Sequence, residues 1–374
     1  MVTRVLILGV NPFEDLPGYQ LLGLLKSTGR YDIIAADDSI PALKILSMTG
    51  TRIHQLPHPS SDPHRFTNLV ARLCQEQKVR IILPGTDAHL YALAACLVDE
   101  PQLALLCPTL AWLAAKELRN KWDLQAWASR FAITPSRWTF DNEGDAVAFT
   151  ARAMYPLMVK GRRKGAMKCD DELEAVVARR AILRNPANDG EGGGVYAEAF
   201  VEGEEHSLLL LTDGRGRFIR TIGFHKLAST QLGTTLAAQV DGDLPSEVNL
   251  DALSSEVSVP GVLELEWRKD ATGNQWLFEI NARFPSWIGA LGKFGLTLLE
   301  GHMNCVLGRS AQGASFTGAP DVGSIFYRLP QSGFLPMEAV FGPPTSPRAA
   351  GLFASCRPVP LLWKAASPHQ FRMK

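Results

Sequence analysis

Apolar and polar side chains alternate over residues 275–281, which is typical of a β-strand with two different faces. The alternation places Glu279 and Asn281 side by side on one face, with Arg283 two residues further along. A carboxylate and an amide oxygen suit a hard cation such as Mg²⁺, and a guanidinium suits the phosphates that Mg²⁺ usually accompanies. A solvated face of an edge strand would show the same pattern, so the segment alone leaves both interpretations open.

The segment before it favours the cation site. Residues 262–268 also alternate, with Glu264 and Glu266 on one face, and a turn-rich connection over residues 269–274 joins the two segments. This pattern predicts an antiparallel hairpin in which both carboxylates share a face with Glu279. Carboxylates on one face repel each other unless cations neutralise them, so a cation site explains the pattern better than a bare surface does.

Short apolar runs alternate with helical patterns in the first part of the chain, which predicts an open parallel α/β domain ending near residue 112. Ligands of such sheets bind beyond the carboxyl ends of the strands, which places residues 9–11 and 85–87 at a candidate crevice. Simple strand-to-helix turns, with Asp87 as a helix cap, are the alternative. The predicted strands cover residues 4–9, 31–36, 53–56 and 79–84, and the predicted helices cover residues 18–29, 64–77 and 87–97.

The first β-α-β unit also permits a second function. Asp37 and Asp38 end its second strand, as in dinucleotide-binding domains, which would suit an NAD(P)-dependent oxidoreductase. The glycines of this unit do not form the G-x-G-x-x-G pattern that closely approaches a pyrophosphate. The sequence therefore argues against dinucleotide binding.

Basic residues mark the next part of the chain. Residues 113–131 predict one helix that carries Lys121, and residues 155–160 predict a strand ending in Lys160. A basic loop with two glycines follows over residues 161–165, before a helix over residues 170–180. A strand-end lysine beside flexible backbone donors is a suitable cradle for phosphate groups.

Composition limits the function classes. The 374 residues predict two or three domains, and 46% hydrophobic with 20% charged residues indicate a substantial core. A formal net charge of zero without a lysine-arginine block argues against a nucleic-acid partner, and no apolar run reaches the roughly 20 residues that span a bilayer. The six cysteines lack Cys-x-x-Cys spacing, which predicts reduced, mostly buried thiols in a cytoplasmic protein and no zinc site.

The hairpin and the lysines together resemble the ATP-grasp superfamily, whose signature is a carboxylate strand, a turn and an E-x-N-x-R strand, here residues 279–283. The resemblance covers residues 1–309 and is nearest to the carbamoyl-phosphate-synthetase-like ligases of amino acids or peptides. It implies an N-terminal open parallel α/β domain followed by a two-lobed ATP-grasp fold with antiparallel sheets. The implied domains are an N-terminal α/β domain (residues 1–112), a central lobe (residues 113–195), a C-terminal lobe with the metal site (residues 196–309) and an appendage (residues 310–374).

The resemblance also implies roles for particular residues. Lys121 and Lys160 would bind the nucleotide phosphates, although the loop at 161–165 is richer in arginine and poorer in glycine than that of biotin carboxylases. The remaining nucleotide ligands would be Glu198 and the backbone of Phe200 and Val201 for adenine, and Glu205 for the ribose. The metal ligands would be Glu266, Glu279 and Asn281, with Glu264 as the alternative to Glu266, and the catalytic groups would be Arg283 and Lys160.

The implied reaction is ATP-dependent ligation of a carboxylate to an amine, or to a thiol, through an acyl phosphate with release of ADP and phosphate. The implied cofactors are ATP and two Mg²⁺ ions, with Mn²⁺ as an alternative. The partners would be small carboxylate and amine substrates, and a homodimer is the common arrangement in such enzymes. A non-catalytic ATP-binding regulatory protein is the other interpretation of the same motifs.

Overall fold

A computed structural model describes residues 2–13, 16–188, 193–215, 217–229, 235–241, 244–309 and 320–327. Most of the C-terminal appendage implied at residues 310–374 lies outside these residues. Three β-sheets organise the described part of the chain, and they follow one another along the sequence.

The first sheet is parallel and has the strand order β3-β2-β1-β4, which confirms the predicted open α/β arrangement. The strands β1, β2 and β4 carry buried apolar residues, as parallel strands usually do, whereas β3 at the edge of the sheet is partly exposed. In chain order the elements are β1 (Thr3–Leu8), α1 (Pro17–Lys26), β2 (Tyr31–Asp37), α2 (Ile40–Met48), β3 (Arg52–Gln55), α3 (Pro63–Gln77), β4 (Ile81–Leu83) and α4 (Asp87–Ala95).

The start of α4 differs from the expected cap. Thr86, not Asp87, caps the helix, because the Thr86 hydroxyl accepts a hydrogen bond from the backbone N–H of His89 at 3.3 Å. Asp87 is the first residue of the helix and is 5% exposed. Its carboxylate is therefore available for a contact beyond its own turn.

Two glycines at the crevice serve close backbone packing. A Cβ atom on Gly18 would lie 2.4 Å from the carbonyl oxygen of Leu8, and one on Gly85 would lie 2.1 Å from the same oxygen. Only glycine fits where three backbone segments approach so closely. These glycines are thus explained by packing between β1, α1 and the end of β4.

The predicted helix over residues 113–131 is wrong as a single element. The structure has α5 (Leu103–Leu106), α6 (Thr109–Ala115) and α7 (Lys121–Ala128). Glu117 adopts a left-handed conformation with φ of 54°, and the Asn120 side chain caps α7 by accepting from the N–H of Asp123 at 3.1 Å. Lys121 consequently stands at the first position of a new helix.

The second sheet is antiparallel, with the order β5-β8-β6-β7. The basic loop at 161–165 joins β6 to β7 as a hairpin, and β7 was not predicted from the sequence. The elements are β5 (Arg137–Thr139), α8 (Gly144–Ala151), β6 (Leu157–Gly161), β7 (Ala166–Cys169), α9 (Glu172–Leu183), a 3₁₀ turn (Pro186–Asn188) and β8 (Val195–Ala199).

The third sheet is antiparallel and the largest, with the order β13-β12-β9-β10-β11-β14. Because β8 still belongs to the second sheet, the change of sheet falls after residue 199, while the proposed division into domains stays a prediction. The elements are β9 (Glu204–Asp213), β10 (Phe218–Ser229), β11 (Thr235–Asp241), α10 (Leu250–Glu256), β12 (Pro260–Lys269), β13 (Gln275–Asn281), a 3₁₀ turn (Ser286–Leu291), α11 (Gly292–Val306) and β14 (Ile325–Tyr327).

The third sheet has two different faces. One face, including Leu208, Leu265 and Trp267, packs into a core shared with α6 and α7. The opposite face has an apolar part, which includes Leu209. It also carries charged side chains, and these lie at the end of the sheet where β12 and β13 approach the other sheets. Among the described helices, none combines the length and apolar character that crossing a membrane requires.

Candidate active site

The hairpin of β12 and β13 brings four polar side chains to one face of the third sheet. Glu264 lies directly opposite Asn281, and Glu266 lies directly opposite Glu279. Side chains opposite each other on antiparallel strands have Cβ atoms about 4.5–5.5 Å apart, so they interact. The predicted shared face is confirmed, and the register was the part that the sequence left open.

Glu279 forms an ion pair with Lys121 of α7. Asp87 of α4 adds a second carboxylate 3.6 Å from the Lys121 ammonium. Burial acts to raise the pKa of Glu279, but Lys121 and Lys160 outweigh burial and hold it at about 2. Burial likewise opposes the charge on Lys121, while Glu279 and Asp87 raise its pKa above the usual value. Both groups are therefore charged at neutral pH.

The electrostatic surroundings of Glu266 differ from those of Glu279. Its carboxylate contacts the buried ammonium of Lys226 on β10. Burial raises the pKa of Glu266 to about 8, because Lys226 offsets only part of the effects of burial and of Glu264 and Glu279. In the absence of a ligand, the carboxylate face is thus short of positive charge.

The carboxylate of Glu264 accepts hydrogen bonds from neutral donors. Its Oε1 accepts from the indole N–H of Trp287 at 2.7 Å and from the Ser207 hydroxyl at 3.2 Å. Its Oε2 accepts from the side-chain amide of Asn281 at 3.0 Å. Of the two candidate carboxylates on β12, Glu264 is therefore tied to the surrounding structure, whereas Glu266 faces Glu279.

Lys160 and Glu198 form a buried pair between the second and third sheets. The Lys160 ammonium donates to Glu198 Oε1 at 2.5 Å and to the carbonyl of Phe278 on β13 at 3.0 Å. Burial raises the pKa of Glu198, and Lys160 offsets part of that increase. Glu198 Oε2 is buried and has no hydrogen-bond partner within the described part of the chain. Such an oxygen is costly to leave unsatisfied, which indicates a missing donor.

Arg268 organises the segment that follows β8. Its guanidinium lies over the Phe200 ring at 4.6 Å, donates to the carbonyl of Val201 at 3.0 Å and donates to Glu205 Oε2 at 3.1 Å. Lys226 donates to the other oxygen of Glu205 at 2.7 Å. Burial alone would raise the pKa of Glu205, but Lys226 and Arg268 lower it, so this carboxylate is charged.

Arg283 connects the carboxylate hairpin to the crevice of the first sheet. Its guanidinium binds Asp87 through two hydrogen bonds, of 2.8 Å from Nε and 3.1 Å from Nη2. Burial opposes the charge on Arg283, but Asp87 raises its pKa further above the usual range. The predicted crevice residues 85–87 therefore adjoin the predicted metal ligands.

The basic loop of the β6–β7 hairpin is held beside α7. The backbone N–H of Lys121 donates to the carbonyl of Arg162 at 2.8 Å. Asn188 Oδ1 accepts from the backbone N–H groups of Arg163 and Lys164, each at 3.1 Å. The loop is thus held beside Lys121 at the junction of the second and third sheets, a region that we call the cleft.

Lys226, Arg268 and Trp287 were missed by sequence reasoning. Lys226 is the most informative of the three, because a lysine on the inward face of a strand is rarely buried without carboxylate partners. The apolar-polar alternation around residues 218–229 could have singled it out. Its partners, Glu205 and Glu266, depend on the pairing of β9 with both β10 and β12. The pairing of β9 with β12 joins segments about 50 residues apart and was not predicted from the sequence.

Comparison with known proteins identifies the fold. No family model matches the chain. The trifunctional purine biosynthetic protein adenosine-3 of Bos taurus is 30% identical over 221 residues, which are 58% of this chain and 20% of that protein. The D-alanine--D-alanine ligase of Stutzerimonas stutzeri (strain A1501) is 28% identical over 185 residues, 45% of this chain and 55% of the ligase. The chain thus spans from a fifth to about half of the length of these curated relatives.

Two solved structures share the arrangement of sheets. The L-amino acid ligase from Bacillus licheniformis superposes with a TM-score of 0.57 at 18% identity, covering 81% of this chain and 74% of the ligase. The biotin carboxylase domain of the Hydrogenobacter thermophilus 2-oxoglutarate carboxylase superposes with a TM-score of 0.55 at 14% identity, covering 83% and 70%. The chain therefore has the fold of these ATP-grasp ligases.

The cleft lies where the second and third sheets approach each other, at the contact between Lys160 of β6 and Phe278 of β13. Lys121, Lys160, Glu198 and the β12–β13 carboxylates line one continuous region, joined by the ion pairs described above. Phe200, Val201 and Glu205 follow β8 where the chain passes from one sheet to the next. The structure thus brings the predicted site residues together, and their individual roles stay predictions.

Proposed function

We propose that the chain is an ATP-dependent carbon–nitrogen ligase that activates a carboxylate as an acyl phosphate and joins it to an amine. The observation that carries this proposal is the opposed pair Glu266 and Glu279, with Asn281 beside them and Lys121 and Arg283 in contact with the same face. Partly buried carboxylates directly opposite each other repel unless cations neutralise them, and cations beside them suit a polyphosphate.

The nucleotide would bind between the second and third sheets. The unpartnered Glu198 Oε2 fits the exocyclic amine of adenine, and the backbone of Phe200 and Val201 offers polar groups beside an aromatic wall. Glu205 would accept from the ribose hydroxyls in exchange for part of its contact with Lys226. The Hydrogenobacter biotin carboxylase domain was solved with MgADP, which supports ATP and Mg²⁺ as the ligands here.

The donor set fits Mg²⁺ or Mn²⁺. Glu266, Glu279 and Asn281 offer only oxygen ligands, and the raised pKa of Glu266 indicates a site that lacks positive charge. In this proposal the side chains of Glu279, Asn281 and Glu266 would hold the two ions. When bound, the ions would neutralise the phosphate oxygens of the transferring group.

The chemistry requires positioning and charge neutralisation rather than a protein nucleophile. A carboxylate oxygen of the substrate attacks the γ-phosphorus of ATP, and ADP leaves with the electrons of the broken P–O bond. The amine nitrogen then attacks the acyl carbon, phosphate leaves and the amine loses a proton. Lys121 and Lys160 would hold the phosphates, while Arg283 would stabilise the negative charge that forms at the acyl phosphate.

The substrates would enter from the crevice of the first sheet. Arg283 lies at the junction between that crevice and the metal face, because it binds Asp87 at the start of α4. A guanidinium at this junction suits a substrate carboxylate. The likeness to an L-amino acid ligase and to a D-alanine--D-alanine ligase supports an amino acid or small peptide as the carboxylate.

The proposal also includes a thiol as the alternative acceptor and a homodimer as the assembly. The Hydrogenobacter domain was solved as a dimer, which supports the homodimer.

A screen of phosphate release tests the proposal. We expect the protein to release phosphate from ATP with Mg²⁺ when amino acids are added in pairs, and much less when ATP is supplied alone. ATP binding without any carboxylate-dependent turnover across amino acids, peptides and other small acids would favour a non-catalytic ATP-binding protein. Binding of NAD(P)H without ATP turnover would instead favour the oxidoreductase interpretation.

The two carboxylates of β12 should respond differently to neutralisation. We expect Glu264→Gln to lower the free energy of unfolding by about 1–3 kcal/mol, because an amide N–H₂ would face a donor of Trp287 or Asn281. Its Mg²⁺ requirement should stay near that of the wild type. We expect Glu266→Gln to raise the Mg²⁺ concentration needed for turnover while unfolding near the wild-type temperature.

Thermal unfolding and turnover against Mg²⁺ concentration, measured on both variants, separate these expectations. If only Glu264→Gln changed the Mg²⁺ requirement, Glu264 would replace Glu266 as the metal ligand. That outcome would shift the site by two residues along β12 and leave the proposed reaction intact.

A further inference from the structure

A second group of ligating side chains lies on the face of the third sheet opposite the cleft. Successive residues of β9 point to opposite faces, so Glu205 faces Lys226 and Glu266, whereas Glu204 and His206 face the other way. On that other face, His206 lies directly opposite His225 of β10. This group is therefore separated from the proposed nucleotide site by the sheet itself.

The His206 ring is fixed on both sides. It stacks on His225 at a centroid distance of 4.9 Å and on Trp267 at 5.4 Å, with interplanar angles of 19° and 11°. Asp241 Oδ2 on β11 lies 3.1 Å from His206 Nδ1. This contact places the ring proton on Nδ1 and the lone pair on Nε2, as in histidines that bind metals with a carboxylate behind them.

His206 Nε2 is a buried acceptor without a donor. The residue is 8% exposed, and Nε2 has no hydrogen-bond partner in the portion of the chain that the structure describes. Burial lowers the pKa of His206, and the neighbouring His225 lowers it further, so the ring is neutral at physiological pH. Glu204 Oε2 lies 3.9 Å from this nitrogen. A buried nitrogen with a lone pair therefore points at a carboxylate, an arrangement that an intervening cation would satisfy.

We propose that Glu204, His206 and His225 form a binding site for a divalent transition-metal ion such as Zn²⁺, with Asp241 orienting His206. One ligand atom from each of the three residues lies within 4.8 Å of the others. Two ligands of a tetrahedral zinc ion are roughly 3.3 Å apart, so a small movement closes the site. The Glu204 side chain is 65% exposed and can supply that movement by changing rotamer.

The donor chemistry selects the class of ion. Two imidazole nitrogens and one carboxylate oxygen favour Zn²⁺ and neighbouring transition metals, whereas Mg²⁺ prefers oxygen ligands alone. A dication would also offset the two carboxylates of Glu204 and Asp241 beside the His206 ring. The cysteine spacing predicted no zinc site, but it concerned only thiolate ligands. The histidines lie 19 residues apart in sequence and meet only through the pairing of β9 with β10.

Metal titration of the full chain tests this site. With excess Mg²⁺ present to occupy the oxygen ligands of the cleft, we expect one equivalent of Zn²⁺ to bind by calorimetry. We expect Co²⁺ to give the visible absorption of a low-symmetry nitrogen and oxygen site. His225→Gln and Glu204→Gln should each weaken Zn²⁺ binding tenfold or more, and Asp241→Asn by roughly tenfold through loss of the group that orients His206.

Two controls make the result decisive. Glu202→Gln removes an exposed carboxylate from the same segment and should bind Zn²⁺ as the wild type does. Glu279→Gln removes a cleft ligand and should also retain the Zn²⁺ equivalent. The proposal is overturned if wild-type protein binds no Zn²⁺ under these conditions. It is equally overturned if the bound equivalent disappears in Glu279→Gln and persists in both His225→Gln and Glu204→Gln.

Discussion

We expect Glu279→Gln to lose nearly all ATP turnover, by at least roughly a hundredfold, while the protein stays folded. Glu279 is paired with Lys121, and its pKa of about 2 keeps it charged at neutral pH. A neutral amide of the same shape could not neutralise the metal ions that the proposed site would hold. Phosphate release measured against Mg²⁺ concentration should show a defect that added Mg²⁺ does not restore.

Folding has to be measured on the same Glu279 variant, because the substitution also removes the partner of Lys121. Asp87 remains 3.6 Å from that ammonium, so we expect only a modest fall in the unfolding temperature. Glu76→Gln is a suitable control, since Glu76 is an exposed carboxylate on α3, far from the cleft in the fold. A folded Glu279→Gln protein with wild-type turnover would contradict the proposed metal site and the ligase reaction with it.

The sequence predicted the polar face of the hairpin because a strand has a period of two that needs no knowledge of its neighbours. Register is different, since it depends on the turn and on the next strand along the sheet. Here β12 pairs with β9 over its whole length, from Pro260 to Lys269, and that pairing sets Glu266 opposite Ser207. Contacts of this kind join residues distant in sequence, which is why Lys226 was not found.

The break between α6 and α7 shows a different limit. An apolar stripe over residues 113–131 predicted one helix, but periodicity is insensitive to a short interruption that keeps the stripe in phase. The local chemistry was present in the sequence, since Asn120 is a favourable N-cap and Asp123 stands in the first turn. Reading that cap would have placed Lys121 at a helix start, where its ammonium can reach Glu279.

The ion pair between Asp87 and Arg283 could not be predicted from either segment alone. The two residues are 196 positions apart, and each had a simple local explanation, a helix cap and a strand-end cation. The crevice rule for parallel sheets did place Asp87 beyond the end of a strand. What the rule lacked was the position of the third sheet, whose packing on the first sheet brings Arg283 to the same point.

The second large effect that we expect concerns the substitution of Lys160. Its ammonium connects Glu198 to the carbonyl of Phe278 and lies where the proposed nucleotide phosphates would bind. Loss of one charged donor to a transition state typically removes about 3 kcal/mol of stabilisation, or roughly a hundredfold in rate. Lys160→Met alone is ambiguous, however, because it leaves the buried Glu198 carboxylate without its cation and destabilises the fold.

Comparing Glu198→Gln with the double variant Lys160→Met/Glu198→Gln removes that ambiguity. Neither protein contains an unpaired buried carboxylate at position 198. In Glu198→Gln the Lys160 ammonium can still donate to the introduced amide oxygen and donates to the carbonyl of Phe278, so we expect both proteins to fold, as thermal unfolding would report. At saturating ATP, the double variant should turn over roughly a hundredfold more slowly than Glu198→Gln, because only the single variant retains the phosphate-binding ammonium. Equal turnover in the two proteins would mean that Lys160 serves only to neutralise Glu198. The phosphates would then be bound by Lys121 and by the basic loop at 161–165. A backbone hydrogen bond between Lys121 and Arg162 holds these two groups beside each other.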